Sequence, residues 1–262
     1  MIMWLHRGTG CRLQLLRRSF ILFDGIGRKT ERRLWQGGAC DWNDLRTATQ
    51  VRHRSRLEEQ VDIAEERLAA GDATFFYDRL PQPEKWRMLS SMIGKFAFID
   101  IELDGSTSYS RPTVIGICRK GGYRCLVRGI DMDAANLAEA ISGTSVIVTY
   151  NGKRHDLHYM SGLLPRTPDG MRVLDLRHIA LQAGYTGGLK LLERELGIVR
   201  NRYVELAANG QTTVLWRKWR KSGTRRALEL LIDYNREDTC NLSPIALKLG
   251  AILEQRAVAH VV

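Results

Sequence analysis

Apolar positions change their period along this chain, and the changes divide it. Leu57, Val61, Ala64 and Leu68 recur at three- and four-residue steps, which is the spacing of one helical face. They predict a helix over 46–70, ended by Gly71. From Phe96 the pattern becomes short apolar runs, at 96–102, 112–119 and 122–128. These predict three strands, with the Gly121-Gly122 pair as the hairpin turn between the last two. A helix is expected at 132–142 and a strand at 145–150, with a helix after it. A last strand at 171–175 precedes helical segments at 176–183, 188–196, 212–221 and 225–250. Three strands in a meander, then alternating strands and helices, make this an α/β arrangement.

Ahead of the first long helix, Ser19 to Trp35 holds a short apolar run, the turn Gly25-Ile26-Gly27 and a helical pattern with Arg28, Lys29, Arg32 and Arg33. The segment resembles one hairpin of a helix-hairpin-helix unit. The resemblance implies that the unpaired first amides of the helix, after the turn at Gly25 and Gly27, hold phosphate oxygens of a nucleic-acid backbone, with Arg28, Lys29, Arg32 and Arg33 strengthening the contact. A helical cap with a solvated basic face fits the same residues. Trp35 and Trp42 are expected in a core. Three regions follow: a helical region at 1–70, a linker at 71–92 whose aromatics (Phe75, Phe76, Tyr77) pack on the next domain, and a domain at 93–255. No repeat or low-complexity segment is visible.

Acids fall at telling positions in the α/β part. Asp100 and Glu102 lie two apart in an apolar strand and so project to one face. Tyr234 and Asp238 lie four apart on a helix and share a face. Asn151 leaves the end of a strand, and Asp156 follows where a helix should begin. Clustered carboxylates repel one another unless something neutralises them, and hard divalent cations with oxygen ligands do so.

These segments resemble the DEDD exonuclease superfamily in its tyrosine-bearing (DEDDy) form, and most closely the YprB-type ribonuclease H-like domain. The resemblance covers roughly residues 70 to 250. It is carried by Phe98-Ile-Asp-Ile-Glu102, Thr149-Tyr-Asn-Gly152 with Asp156, Val173-Leu-Asp-Leu176, Gly188 to Glu193 with Leu196-Gly197, and Tyr234-Asn-Arg-Glu-Asp238. It implies a ribonuclease H-like mixed five-stranded sheet flanked by helices. It also implies 3′–5′ exonuclease activity on single-stranded DNA or RNA through two Mg²⁺ or Mn²⁺ ions held by Asp100, Glu102, Asp156 and Asp238. Tyr234 would orient the attacking water, and Asn151 would contact substrate. Two positions depart from the family. Leu103-Asp104 stands where small hydroxylated residues are usual, so an extra acid would repel phosphate or add a metal ligand. His155 stands where an aromatic residue is common. A non-catalytic nucleic-acid-binding module and a structure-selective endonuclease therefore stay open as alternatives.

Charge points the same way. The formal net charge is +11 over 262 residues, which suits a polyanionic partner. Trp216-Arg217-Lys218-Trp219-Arg220-Lys221 interleaves bases with aromatics. Arg217 and Lys218 are expected at phosphates and the two tryptophans packed inward. Five cysteines without a Cys-x-x-Cys pair argue against a disulfide framework or zinc knuckle and suit a cytoplasmic setting. Residues 1–20 lack acids and carry five Arg or His positions, a composition that a transit peptide shares. No apolar run approaches the about 20 residues of a membrane span.

Overall fold

The computed structural model describes residues 15–47, 54–106, 110–152, 159, 172–202, 204 and 211–259. They form two compact units, 92–249 and a second made of the residues before 92 together with those from Gly250.

In the first unit, helices α1 (Arg28–Gln36), α2 (Trp42–Thr47), α3 (Arg54–Ala70) and α4 (Ala73–Arg79) are followed by a 3₁₀ turn at Gln82–Met88 and by α5 (Leu89–Met92). The segment read as a linker is thus helical. Phe76 is fully buried and stacks on Trp42 within this unit, at 6.2 Å between ring centroids. Its aromatics are spent on a local core. Trp42 is buried, as expected, and Trp35 donates from Nε1 to the Arg18 carbonyl.

A buried ion pair organises the same unit. Glu31 accepts from Arg87 Nη1 at 2.8 Å and Nη2 at 2.9 Å, and from the Phe20 and Ile21 amides. The bidentate fork and the two amides satisfy a carboxylate that burial would otherwise make costly. Glu31 so ties the start of α1 to the residues before the glycine turn.

The second unit is built on one sheet: β1 (Phe96–Leu103), β2 (Pro112–Arg119), β3 (Gly122–Val127), β4 (Val146–Thr149) and β5 (Arg172–Asp175), in spatial order β3-β2-β1-β4-β5. β1–β2 and β2–β3 pair antiparallel, while β1–β4 and β4–β5 pair parallel. The expected mixed five-stranded sheet is formed, with boundaries within about two residues of those read from the periodicity. Helices α6 (Ala134–Ala140), α7 (Leu176–Gln182), α8 (Leu189–Glu195), α9 (Thr212–Ser222) and α10 (Arg225–Ala259) complete the described elements. On one side Ile99, Ile101, Ile115, Ile117, Leu137 and Ile147 share a core cluster. On the other, Val114 and Val127 pack against Trp216 and Leu231. Residues on alternate positions of β2 and β3 so feed two cores, and consecutive buried residues are why β1 and β2 read as near-continuous apolar runs.

β1 is therefore central, with apolar layers above and below. Any acid on it is placed in low dielectric and must be answered by neighbouring groups. No helix among the described residues is long and apolar enough to cross a membrane.

Candidate active site

β1 carries Asp100 and Glu102 on one face, and α10 brings Asp238 to them. One carboxylate oxygen from each of the three lies within 4.8 Å of the others. What lets the helix come so close is Gly116, which pairs directly opposite Asp100 on β2. A Cβ at that position would fall 2.0 Å from Asn235 Oδ1 and 2.4 Å from Thr239 Oγ1. Only a residue without a side chain admits α10 here.

The close approach has a purpose in hydrogen bonding. Asn235 is fully buried. Its Nδ2 donates to Asp100 Oδ2 at 2.9 Å and to the Asp100 carbonyl at 3.3 Å, and its Oδ1 accepts from the Tyr123 hydroxyl at 2.8 Å. Tyr123 thereby fixes which end of the amide faces Asp100. Asn235 was not singled out from the sequence. Its position three residues before Asp238, on the same helical face, was the available signal.

Asp238 is held by a different group. Arg200 donates from Nη2 to Asp238 Oδ1, and also to Glu193 Oε1 at 3.0 Å. Glu193, itself buried, accepts from Asn241 Nδ2 at 2.8 Å. Burial raises the Asp238 pKa, while the Arg200 charge opposes that rise. The carboxylate therefore depends on nearby positive charge to ionise, and Arg200 supplies part of it. Neither Arg200 nor Glu193 was assigned a role from the sequence. They come from separate segments, and no spacing links them to Asp238.

Tyr234 is buried one helical turn before Asp238. Lys190 Nζ stands 4.9 Å from its ring centroid and the Arg200 guanidinium 5.8 Å. Burial, then the charges of Asp238 and Glu102, push its hydroxyl pKa above the ordinary tyrosine value. It stays protonated at neutral pH and is a hydrogen-bond donor rather than a base.

Other expected positions resolve as follows. Asn151 sits at the end of β4 with a left-handed backbone, φ 62°. Its amide donates to Asp175 Oδ1 at 2.8 Å, and its Oδ1 accepts from Arg177 Nη1 at 2.7 Å. Asp175 also caps α7 through the Arg177 amide, the strand-end role expected of it. Asp156 and His155 lie outside the described residues. Gly25, at φ 77°, makes the turn before α1, and Gly27 is its N-cap. Arg28 reaches Glu84 Oε1 at 2.6 Å, and Lys29 is exposed. On α9, Trp216 is buried and Trp219 packs against it, as expected. Arg217 and Lys218 are exposed.

Asp104, the extra acid expected to repel phosphate or add a metal ligand, is held by several donors. It accepts from the Ser106 and Arg111 amides at 3.2 and 3.1 Å, from Ser106 Oγ at 3.0 Å and from Arg128 Nη1 at 3.0 Å. Burial works against its charge, but these bonds prevail and hold its pKa well below the usual carboxylate range. Its oxygens are committed to the β1–β2 loop, and it is not among the three acids that converge.

A central strand with two acids, answered by a third on a closely packed helix, defines a ribonuclease H-like fold with an acidic cluster at its middle. The family model described as RNase_H superfamily matches residues 97–249, and the chain belongs to that superfamily. Neither the curated proteins nor the solved structures compared with the chain give a match. The donor set fits a hard divalent cation: three carboxylates with converging oxygens, one of them buried and short of positive charge. The superfamily implies a nucleic-acid substrate.

Proposed function

We propose that this chain is a metal-dependent nuclease of the DEDDy, YprB-type kind, a 3′–5′ exonuclease on single-stranded DNA or RNA. The observation that carries the reading is the convergence of Asp100, Glu102 and Asp238 beside a buried, protonated Tyr234. Asp100, Glu102, Asp156 and Asp238 would hold two Mg²⁺ or Mn²⁺ ions. Bound there, such ions lower the pKa of water and offset charge on the attacking and leaving oxygens of a phosphodiester.

The chain's own residues do the rest. Asn235 keeps one oxygen of Asp100 occupied and so fixes the orientation of the other. Arg200 does the same for Asp238 from the opposite side. The Tyr234 hydroxyl donates toward the attacking water and aligns its lone pair, a positioning role that needs no proton transfer. Asn151 contacts the substrate, and Arg217 and Lys218 meet backbone phosphates on the exposed face of α9. The turn at Gly25 and Gly27, with the helix start at Arg28 and Lys29, holds nucleic-acid backbone without reading sequence, as a helix-hairpin-helix hairpin does.

The test is digestion of 5′-labelled single-stranded DNA and RNA with Mg²⁺, Mn²⁺ or chelator, beside the Asp100→Ala variant. A metal-dependent ladder shortening from the 3′ end, absent in the variant, is the expected result. Cutting of circular single strands would make the enzyme an endonuclease. Salt-sensitive binding without cleavage would make it a binding module.

A further inference from the structure

Just past the acidic cluster, a cavity of about 450 Å³ is lined by Asp104, Ser106, Arg111, Arg128, Gly129 and Arg220. Three guanidiniums against one carboxylate leave it with two net positive charges. The carboxylate is turned to structural use: it shapes the β1–β2 loop and holds Arg128. Two of the arginines are held as well. The Arg128 guanidinium lies 4.8 Å from the Trp216 ring centroid, and that of Arg220 lies 5.8 Å from Trp219 and 6.0 Å from Trp216. Among the described residues, neither Arg111 nor Arg220 has an ion-pair partner.

Charge this concentrated costs stability unless something answers it. Planar guanidiniums stacked on a fixed aromatic pair lose little freedom when they close on a phosphate. Gly105, at φ 67°, lets Thr213 of α9 approach, since a Cβ there would meet Thr213 Cγ2 at 2.8 Å. Asp104 follows Glu102 by two residues, just past the end of β1, so their backbones are at most about 7 Å apart. A polyanion held at the carboxylates therefore passes the mouth of the cavity within its next few phosphates.

We propose that this cavity is a phosphate subsite, in which Arg111, Arg128 and Arg220 grip a backbone phosphate of the strand whose neighbouring phosphodiester lies at Asp100, Glu102 and Asp238. The proposal rests on the nuclease reading of the acidic site, and it adds a second anchor that sets the path of the strand. The anchor reads charge and spacing, so it favours no base.

The experiment uses the full chain and a fluorescent single-stranded oligothymidylate, with binding measured by anisotropy in chelator across a range of salt. Arg111→Gln combined with Arg220→Gln should weaken binding at least tenfold. It should also make the slope of log affinity against log salt shallower by about 0.7, the value of one phosphate contact on a single strand. Both side chains are exposed, so the fold should survive. Lys120→Gln with Lys248→Gln removes the same charge elsewhere and should leave the slope within error. Equal changes in both double variants, or none in the first, would overturn the subsite. A separate arm follows metal-dependent hydrolysis of the p-nitrophenyl ester of thymidine 5′-phosphate, which has no neighbouring phosphate. Its turnover should be the same in the arginine variant and in the unaltered protein, and a loss would show that the arginines act at the acidic site itself. If the unaltered protein cleaves neither strand nor ester, the nuclease reading fails, while the salt slopes still decide the cavity.

Discussion

Asn235 shows how much of a metal-type site can rest on a neutral side chain. Both ends of its amide are engaged, by Asp100 and by Tyr123. Asn235→Ala would free Asp100 to rotate and leave its carbonyl and carboxylate short of a donor. Loss of such an orienting partner typically costs 10–100-fold in activity or metal affinity. We expect a fall of about that size in cleavage rate, with Mn²⁺ affinity from calorimetry falling in parallel. Asp104 makes a second residue-scale prediction. A carboxylate whose folded pKa is depressed stabilises the fold above its unfolded pKa, and that contribution is lost as pH falls through the lower folded value. Asp104→Asn should therefore lower the melting temperature at neutral pH. The gap from the unaltered protein should begin to close only below about pH 3.9, the ordinary aspartate value. A gap that is constant down to strong acid would refute the assigned bonding. The sequence alone marked Asp104 as an anomaly but not its bonding, because charge is visible in a sequence and hydrogen-bond partners are not.

At the level of elements, the site is a matter of how close α10 comes to β2. Gly116→Ala would put a methyl group within 2.0 Å of Asn235 Oδ1. Relief requires α10 to move or Asn235 to turn away from Asp100. Overpacking of this kind costs about 1–3 kcal/mol, so urea unfolding should show that loss together with a drop in cleavage. An active, equally stable Gly116→Ala protein would mean that α10 has slack. The strands and helices around this contact were legible because their apolar periods differ, two against three to four. The acids were legible for the same reason: a spacing of two on β1 and four on α10 puts each pair on one face. Residues 71–92, read as a linker, contain helices that the periodicity did not show. Their helices are only seven and four residues long, and Pro81 and Pro83 interrupt them, so no window holds a full period. The Arg200–Glu193–Asn241 chain was invisible for another reason. Its members sit on separate segments and meet only through tertiary folding.

For the whole molecule, the wide sequence separation within the site has a consequence in time. The hydrogen bond from Asn235 to Asp100 joins residues 135 apart. Among the described residues all five strands end by Asp175, so they are synthesised well before α10. At about 5–20 residues per second, Asp100 waits roughly 7–27 s for Asn235 to be synthesised. Through that interval the nascent chain has two of its three converging acids and none of the groups of α10 that orient them. A nuclease site of the proposed kind is thus inert while it is being made, and it is completed only when α10 packs against β2.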